Sequence, residues 1–409
     1  MSSFANNAGQ EIVGCPDCGA IQAISTGAAR GARRCGRCGR TLERMNGRSL
    51  LGGLGCALAT LLLLFPANLL PILQVNILAA TNISFIGSGV FGIWTQGWPV
   101  AAIVVGLEIV VLPFLRFGLL SAVLGMLWAG QRARWLGPAF RWAEYLDQWA
   151  MIDVFLFGGL IGYARVVHAM PVQILAGGYC AICAAFFSLV TRAALERREI
   201  WRLIGPAATQ REEKMICCTS CDYPLPATQE GKRCPRCHAR VWHCRPYAAM
   251  RALALTLAAF AFYPIAYIYP MESSDVLDDL HGYSIMTGVL KLVQADLWFF
   301  AAVVFIASVA IPLLKLFAFA WFGMSIHRRS AARLRLKTKL YRLIDTIGRW
   351  SHIDVFTVSV FLPLMQLNGL LSIVVGKALP AFLAVVVITM AATSFFDPRA
   401  LWLAAERRA

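Results

Sequence analysis

The sequence predicts an all-α polytopic membrane protein: two four-helix transmembrane bundles, each preceded by a small cytoplasmic zinc-ribbon module. Three observations lead there. Of 409 residues, 58% are hydrophobic and only 15% charged, where soluble domains run to about 25% charged. Eight apolar segments, at about 50–73, 97–120, 149–166, 171–191, 251–270, 297–324, 350–368 and 373–394, approach the length of a bilayer crossing, which takes about 20 residues. Two four-cysteine sets stand ahead of the first and fifth segments.

The charge distribution sets the orientation. The formal net charge is +16, and residues 1–49, 131–148, 191–250, 325–349 and 391–409 hold 32 of the 38 Lys and Arg. The connections on the opposite side hold Arg165, Lys291 and Lys377, with no charged residue at all over 74–96 and an acidic stretch at 271–297. Positively charged loops stay cytoplasmic, so both termini and the central segment are expected inside. The basic residues flank span after span instead of forming one compact face, which argues against nucleic acid as a partner. The run from Arg328 to Lys339 fits the same topological role, with anionic lipid headgroups as an additional contact.

The chain repeats itself. Trp149-Ala-Met-Ile-Asp153-Val-Phe recurs as Trp350-Ser-His-Ile-Asp354-Val-Phe, and Pro113-Phe-Leu-Arg116 as Pro312-Leu-Leu-Lys315. Arg141 and Glu144 are matched by Arg342 and Asp345. Four spans return the chain to its starting side, so both halves have the same orientation. The expected domains are a first ribbon (1–48), a first four-helix domain (49–195), a second ribbon (196–248) and a second four-helix domain (249–409). Pro66, Pro71, Pro264 and Pro270 are expected to kink or end the first helix of each half.

The first cysteine set is Cys15, Cys18, Cys35 and Cys38; the second is Cys218, Cys221, Cys234 and Cys237. Two CxxC turns present four thiolates tetrahedrally, the arrangement Zn²⁺ takes in a structural site. Iron in a rubredoxin-like site has the same ligands. A thiol redox pair fits less well, because the cytoplasm keeps thiols reduced. Cys217 adjoins Cys218, and the two-residue spacing favours Cys218. A closed four-cysteine site has no open position for catalysis, so its expected role is to brace the helix ends or to dock a partner, and the chain is not expected to be an enzyme.

Ionisable residues inside the spans are costly and mark packing or function. They are Glu108, Arg116 and Asp153 in the first half, and Lys315, His352 and Asp354 in the second. Their positions predict an Arg116–Asp153 pair and a Lys315–Asp354 pair, each joining the second and third helix of its bundle. Both pairs could serve packing alone. Lysine can change its charge when buried whereas arginine does not, and His352 adds a second titratable group. The second half is therefore the candidate for proton linkage.

Paired CxxC–CxxC ribbons, each ahead of four spans with Pro-Phe-Leu-Arg116 or Pro-Leu-Leu-Lys315 and Trp-x-x-Ile-Asp-Val-Phe, resemble the paraquat-inducible protein A family. That family includes LetA-type lipophilic envelope-spanning proteins. The similarity runs from Cys15 to Arg399; departures are Ala266 where the first half has Asn68, and no Asp-Pro before Arg192. The resemblance implies a Gram-negative inner-membrane protein that passes phospholipids to or from a periplasmic MCE-domain tunnel protein. No Gly-x₄-Gly-Lys-Ser/Thr phosphate loop occurs, so internal ATP hydrolysis is not expected. The competing readings are a small-molecule exporter, which the intramembrane charges would suit, and a membrane redox or stress protein using its CxxC motifs.

Overall fold

The computed structural model describes residues 10–25, 32–44, 50–77, 80–167, 171–205, 214–276, 279–364 and 372–407. The chain opens with two antiparallel hairpins, β1 (Gln10–Gly14) with β2 (Ile21–Ser25) and β3 (Ala32–Arg34) with β4 (Thr41–Arg44). Each hairpin carries one CxxC turn.

The first half follows. Helix α1 (Leu50–Leu69) leads into strands β5 (Leu73–Ile77) and β6 (Ala80–Ser84), then the short helix α2 (Ile86–Thr95). Next comes a rod of 30 residues, made of α3 (Pro99–Gly106), a π-helical turn (Leu107–Val111) and α4 (Leu112–Trp128). The amphipathic α5 (Leu136–Leu146) and then α6 (Ile152–Val167), β7 (Val172–Ile174), α7 (Ala176–Ala194) and α8 (Arg197–Ile204) complete it.

Strands β8 (Met215–Cys217) and β9 (Pro224–Pro226) and an Arg233–Arg240 bridge build the second cysteine module. The second half runs through α9 (Ala248–Ile268), β10 (Glu272–Val276), β11 (Asp279–Tyr283) and α10 (Ile285–Gln294). Its rod is α11 (Trp298–Phe305), a π turn (Ile306–Ala310) and α12 (Ile311–His327). Then come α13 (Leu334–Ile347), a 3₁₀ turn (Gly348–His352), α14 (Ile353–Leu364), β12 (Ser372–Val375), α15 (Ala378–Phe395) and α16 (Arg399–Glu406). The order of elements is the same in both halves.

Both π turns immediately precede the Pro113 and Pro312 segments. Proline offers no N–H and crowds the carbonyl four residues back, and the backbone widens there: Leu112 N–H donates to Leu107 O and Ile311 N–H to Ile306 O, five residues back in each case. Pro66 and Pro264 lie inside α1 and α9, while Pro71 and Pro270 lie just beyond their ends.

Among the described residues six helices are long and apolar enough to cross a membrane: α1, the two rods, α7, α9 and α15. The other two of the eight expected spans correspond to α6, of 16 residues, and α14, of 12; the end of the 350–368 segment lies outside the described residues. These two are the central pair. A Cβ at Gly158 of α6 would come within 2.8 Å of Phe356 Cβ and 2.9 Å of Ile353 O on α14. Thr357 Oγ1 donates to Gly158 O at 3.2 Å, and the Phe155 and Phe356 rings meet at 6.1 Å. Residues Ile353 to Val360 are buried throughout. On α6, by contrast, Leu160 is 45% exposed, so α14 alone of the two is sheathed by its neighbours over Ile353–Val360.

The expectation of an all-helical fold needs one correction. In each half the strands after the first helix pair with the strand before the fourth, giving three-stranded antiparallel sheets in the order β6-β5-β7 and β11-β10-β12. Close approach makes this possible: a Cβ at Gly177 would fall 2.3 Å from Leu70 O, and one at Gly376 2.0 Å from Pro270 O. Leu73-Gln-Val-Asn-Ile alternates as a strand should, although it is short and borders a membrane-length apolar run.

The two cysteine modules each reach the opposite half, while α8 and Arg399 of α16 also hold each to its own. The first packs on the second half, where Arg342 of α13 donates to Cys38 O at 3.0 Å and pairs with Asp17 at 2.6 Å. Arg335 reaches Arg37 O at 2.9 Å, and Arg37 lies over the Trp402 ring of α16. The second module packs on the first half, where Arg141 of α5 donates to Cys237 O at 3.0 Å. Gly137 lets Arg236 O approach so closely that a Cβ would be 2.0 Å from it. Helix α8 ties both modules together, with Arg202 on Glu11 and Glu43, each at 2.5 Å, and Arg197 on Asp222.

Candidate functional site

Each cysteine pair sits on a tight turn whose residue after the second thiol has positive φ. These are Gly19 (70°) and Gly39 (72°) in the first module, Asp222 (56°) and His238 (58°) in the second. Glycine enters this region without a Cβ clash, and Asp and His tolerate it better than most residues. The turns close by Gly19 N–H to Cys15 O (3.0 Å), Gly39 to Cys35 (2.9 Å), Asp222 to Cys218 (3.2 Å) and His238 to Cys234 (2.9 Å). Similar turns in both modules therefore aim four thiols at one point.

Cys15, Cys18, Cys35 and Cys38 form one buried group, and Cys218, Cys221, Cys234 and Cys237 the other; within each, the sulfurs lie within 4.8 Å of one another. The Cys15–Cys38 and Cys18–Cys35 separations are 3.5 and 3.6 Å, and those of Cys218–Cys237 and Cys221–Cys234 are the same. A tetrahedron with metal–sulfur bonds of about 2.3 Å has edges of about 3.8 Å, so both groups fit a metal ion. Cys217 stands outside its cluster, and its Sγ packs where a Cβ on Gly14 would be, at 1.9 Å.

The intramembrane charges are organised differently from either expected pair. Arg116 is buried on α4 and pairs with Asp147, at the end of α5, instead of Asp153. Asp153 accepts from Arg192 of α7 at 2.5 Å, and Arg349 of the second half lies 3.4 Å from the same carboxylate. Arg192 also bonds Asp147 at 2.8 Å. Asp147 and Asp153 are thus held in a network of three arginines, two from the first half and Arg349 from the second.

Lys315 does not pair with Asp354. Its Nζ donates to Gly348 O at 2.8 Å and to Thr389 Oγ1 at 3.4 Å, with the whole side chain buried. The backbone rises about 10 Å between Gly348 and Asp354, and the carbonyl level with Lys315 takes the ammonium first. Asp354 instead borders a small pocket together with Glu272 and Tyr283, which belong to the outer sheet. Glu108 and His352 are brought together across the halves, with Oε1 and Nε2 3.2 Å apart and both residues buried.

Asp147, Arg192 and Arg349 were not among the residues singled out by sequence. All three lie at helix ends in segments assigned to the aqueous cytoplasmic side, where a charge carries no warning. The corners between α5 and α6 and between α13 and α14 turn Asp147 and Arg349 inward, and Arg192 joins them from the last turn of α7.

A sequence model of the paraquat-inducible protein A family matches residues 52–205 and 249–406. The relatives include the Lipophilic envelope-spanning tunnel protein A of Escherichia coli (strain K12), 28% identical over 85% of this chain and 81% of its own length. Intermembrane transport protein PqiA of the same organism is 29% identical over 63% of this chain and 64% of its own. A Probable intermembrane transport protein of Haemophilus influenzae is 24% identical over 86% of each. No solved structure matches. With residues 52–205 and 249–406 both matched and six helices among the described residues fit to cross a bilayer, this multi-pass membrane protein belongs to the paraquat-inducible protein A family.

Proposed function

We propose that the protein is the inner-membrane component of an envelope lipid transport system in a Gram-negative bacterium. It passes phospholipids between the inner membrane and a periplasmic MCE-domain tunnel protein, and it is not an enzyme. The observation that carries this reading is the match of both halves to one family whose relatives are named for intermembrane transport and a lipophilic tunnel. The chain arose by duplication, and each half crosses the bilayer four times, with α6 and α14 crossing side by side. The placement of 32 of 38 basic residues supports cytoplasmic termini and cytoplasmic ribbons.

Zn²⁺ in both cysteine clusters would supply folding energy to modules with little core of their own. Transport is linked to protons through the second half. Among the described residues Lys315 bonds only neutral oxygens, His352 faces Glu108, and Asp354 borders the pocket beneath the outer sheet. Arg116 and Asp153 act as braces, because arginine keeps its charge.

The test is lipid exchange between proteoliposomes containing the protein and a purified MCE-domain partner. Wild type should move labelled phospholipid, while Asp354→Asn and Lys315→Met, inserted at wild-type level, should lose at least 10-fold in rate. Full exchange by both variants would overturn the proton link. No exchange by wild type, with the partner bound, would overturn the transport reading itself.

A further inference from the structure

We infer that the protein has a second ligand site, a cytoplasmic cavity that binds a phosphoryl group through a ring of arginines. The cavity measures about 1360 Å³ and lies where the two cysteine modules meet the helix ends of both halves. Eleven arginines and five carboxylates line it. The carboxylates are not enough to balance the wall. Asp17 is engaged by Arg40 and Arg342, Glu144 by Arg197, and Asp147 by Arg116 and Arg192. Arg141 and Arg399 are committed to carbonyls of the second cysteine module. Arg245 donates from its guanidinium to Ser394 O and from its backbone to Asp397, but among the described residues no carboxylate forms an ion pair with the guanidinium of Arg233, Arg240, Arg245 or Arg251, which also face the cavity.

Two donors inside the cavity wall lack partners. Arg116 is 4% exposed and its Nη1 makes no hydrogen bond, and the same is true of the buried Nε of Arg349. A buried donor left unsatisfied is costly, the more so when charged, unless a ligand completes it. Guanidinium groups match phosphate oxygens in forked pairs, which makes several converging arginines a phosphate-binding arrangement. Depth favours an anion that already lives at the membrane surface. Arg116 lies twelve residues before the end of α4 at Trp128, about 18 Å along the helix axis. Trp142 and Phe395 also line the cavity and are 51% and 43% exposed, as expected where a wall meets the headgroup layer.

The inference goes beyond the transport reading, since it concerns binding at the cytoplasmic face and stands whether or not lipid is exchanged. It is tested on the intact, metal-loaded protein in maltoside detergent, by following thermal unfolding and native mass spectra. Inorganic pyrophosphate is one probe and phosphatidylglycerol in mixed micelles the other. Stabilisation by pyrophosphate would identify a soluble phosphate as the occupant. Phosphatidylglycerol retained without a pyrophosphate effect would identify a lipid headgroup. Either probe should bind at least 10-fold more weakly to Arg349→Gln and to the double variant Arg240→Gln/Arg251→Gln. The double variant alters exposed side chains, so it reports even if Arg349→Gln does not fold. Arg329→Gln, in the turn after α12 and outside the cavity, should bind as wild type does. Binding unchanged in the double variant, or equal loss in Arg329→Gln, would overturn the site, as would no binding of either probe.

Discussion

The two halves share one order of elements and differ in how they treat charge. At the interval that separates Asp153 from Asp354, Gly348 stands where the first half has Asp147, Thr393 where it has Arg192, and Gln148 where the second has Arg349. Arg116 consequently meets a carboxylate, and its counterpart Lys315 meets a backbone carbonyl. Asp153 is held by two arginines whose counterparts around Asp354 are neutral. Glu108 faces His352, whereas the corresponding pair is Ala307 and Met151. Most of these differences point the same way. The first half ties Arg116, Asp147 and Asp153 into arginine–carboxylate pairs, whereas the second, joined by Glu108 reaching across to His352, keeps groups able to gain or lose a proton.

The comparison breaks most easily at Asp153. Replacing it by Asn leaves Arg192 and Arg349 without their shared counter-charge, and breaking a buried pair costs about 3–5 kcal/mol. Asp153→Asn should therefore abolish accumulation of folded protein, seen by fluorescence-detected size exclusion, while Asp354→Asn accumulates normally. Normal folding of Asp153→Asn with collapse of Asp354→Asn would reverse the assignment of roles.

Metal loss should be felt crosswise. Cys38→Ser disrupts the first module, whose contacts run to α13 and α16. Hydrogen exchange should rise by 10-fold or more in 334–347 before it rises in 136–146, and Cys237→Ser should do the opposite. Equal loss in both helices would mean that the modules brace the protein as one block.

Exchanging the cations sharpens the comparison further. Lys315→Arg should reduce lipid exchange about 10-fold, since an arginine at this site holds its proton. Arg116→Lys should cost stability of about 1 kcal/mol and leave exchange within threefold, because one charge-assisted contact weakens. A milder test is Gly348→Asp, which copies the first half. Its Cβ would approach Lys315 Cε at 2.9 Å, the movable end of a flexible side chain. The variant should fold with little change in unfolding temperature and exchange lipid more slowly. Undiminished exchange would show that a paired Lys315 is no obstacle.

Much of this architecture can be read from residue patterns because the patterns act locally. An apolar run such as Leu50–Leu69 forms a helix long enough for the bilayer whatever surrounds it. The CxxC turns shape themselves, with Gly19 and Gly39 supplying the left-handed residue. The internal pairs could not be read the same way. Arg116 and Asp153 lie at plausible depths, yet depth alone does not choose between Asp153 and Asp147. The outer strands were hidden because β7 and β12 are 3 and 4 residues long and gain their pairing from strands about a hundred residues away.

By itself the sequence determined the membrane class, the residues of both metal clusters and the family, since composition, spacing and repetition are properties of neighbours along the chain. Tertiary structure alone decided where the cysteine modules dock, the first against α13 and α16 of the second half and the second against α5 of the first, with α8 and Arg399 tying the two together. It also placed Arg349 beside Asp153 and Glu108 beside His352 across the central pair α6 and α14. The reason is physical. A buried charge takes whichever partner the packed helices bring within about 4 Å, and distance along the chain says nothing about which that will be.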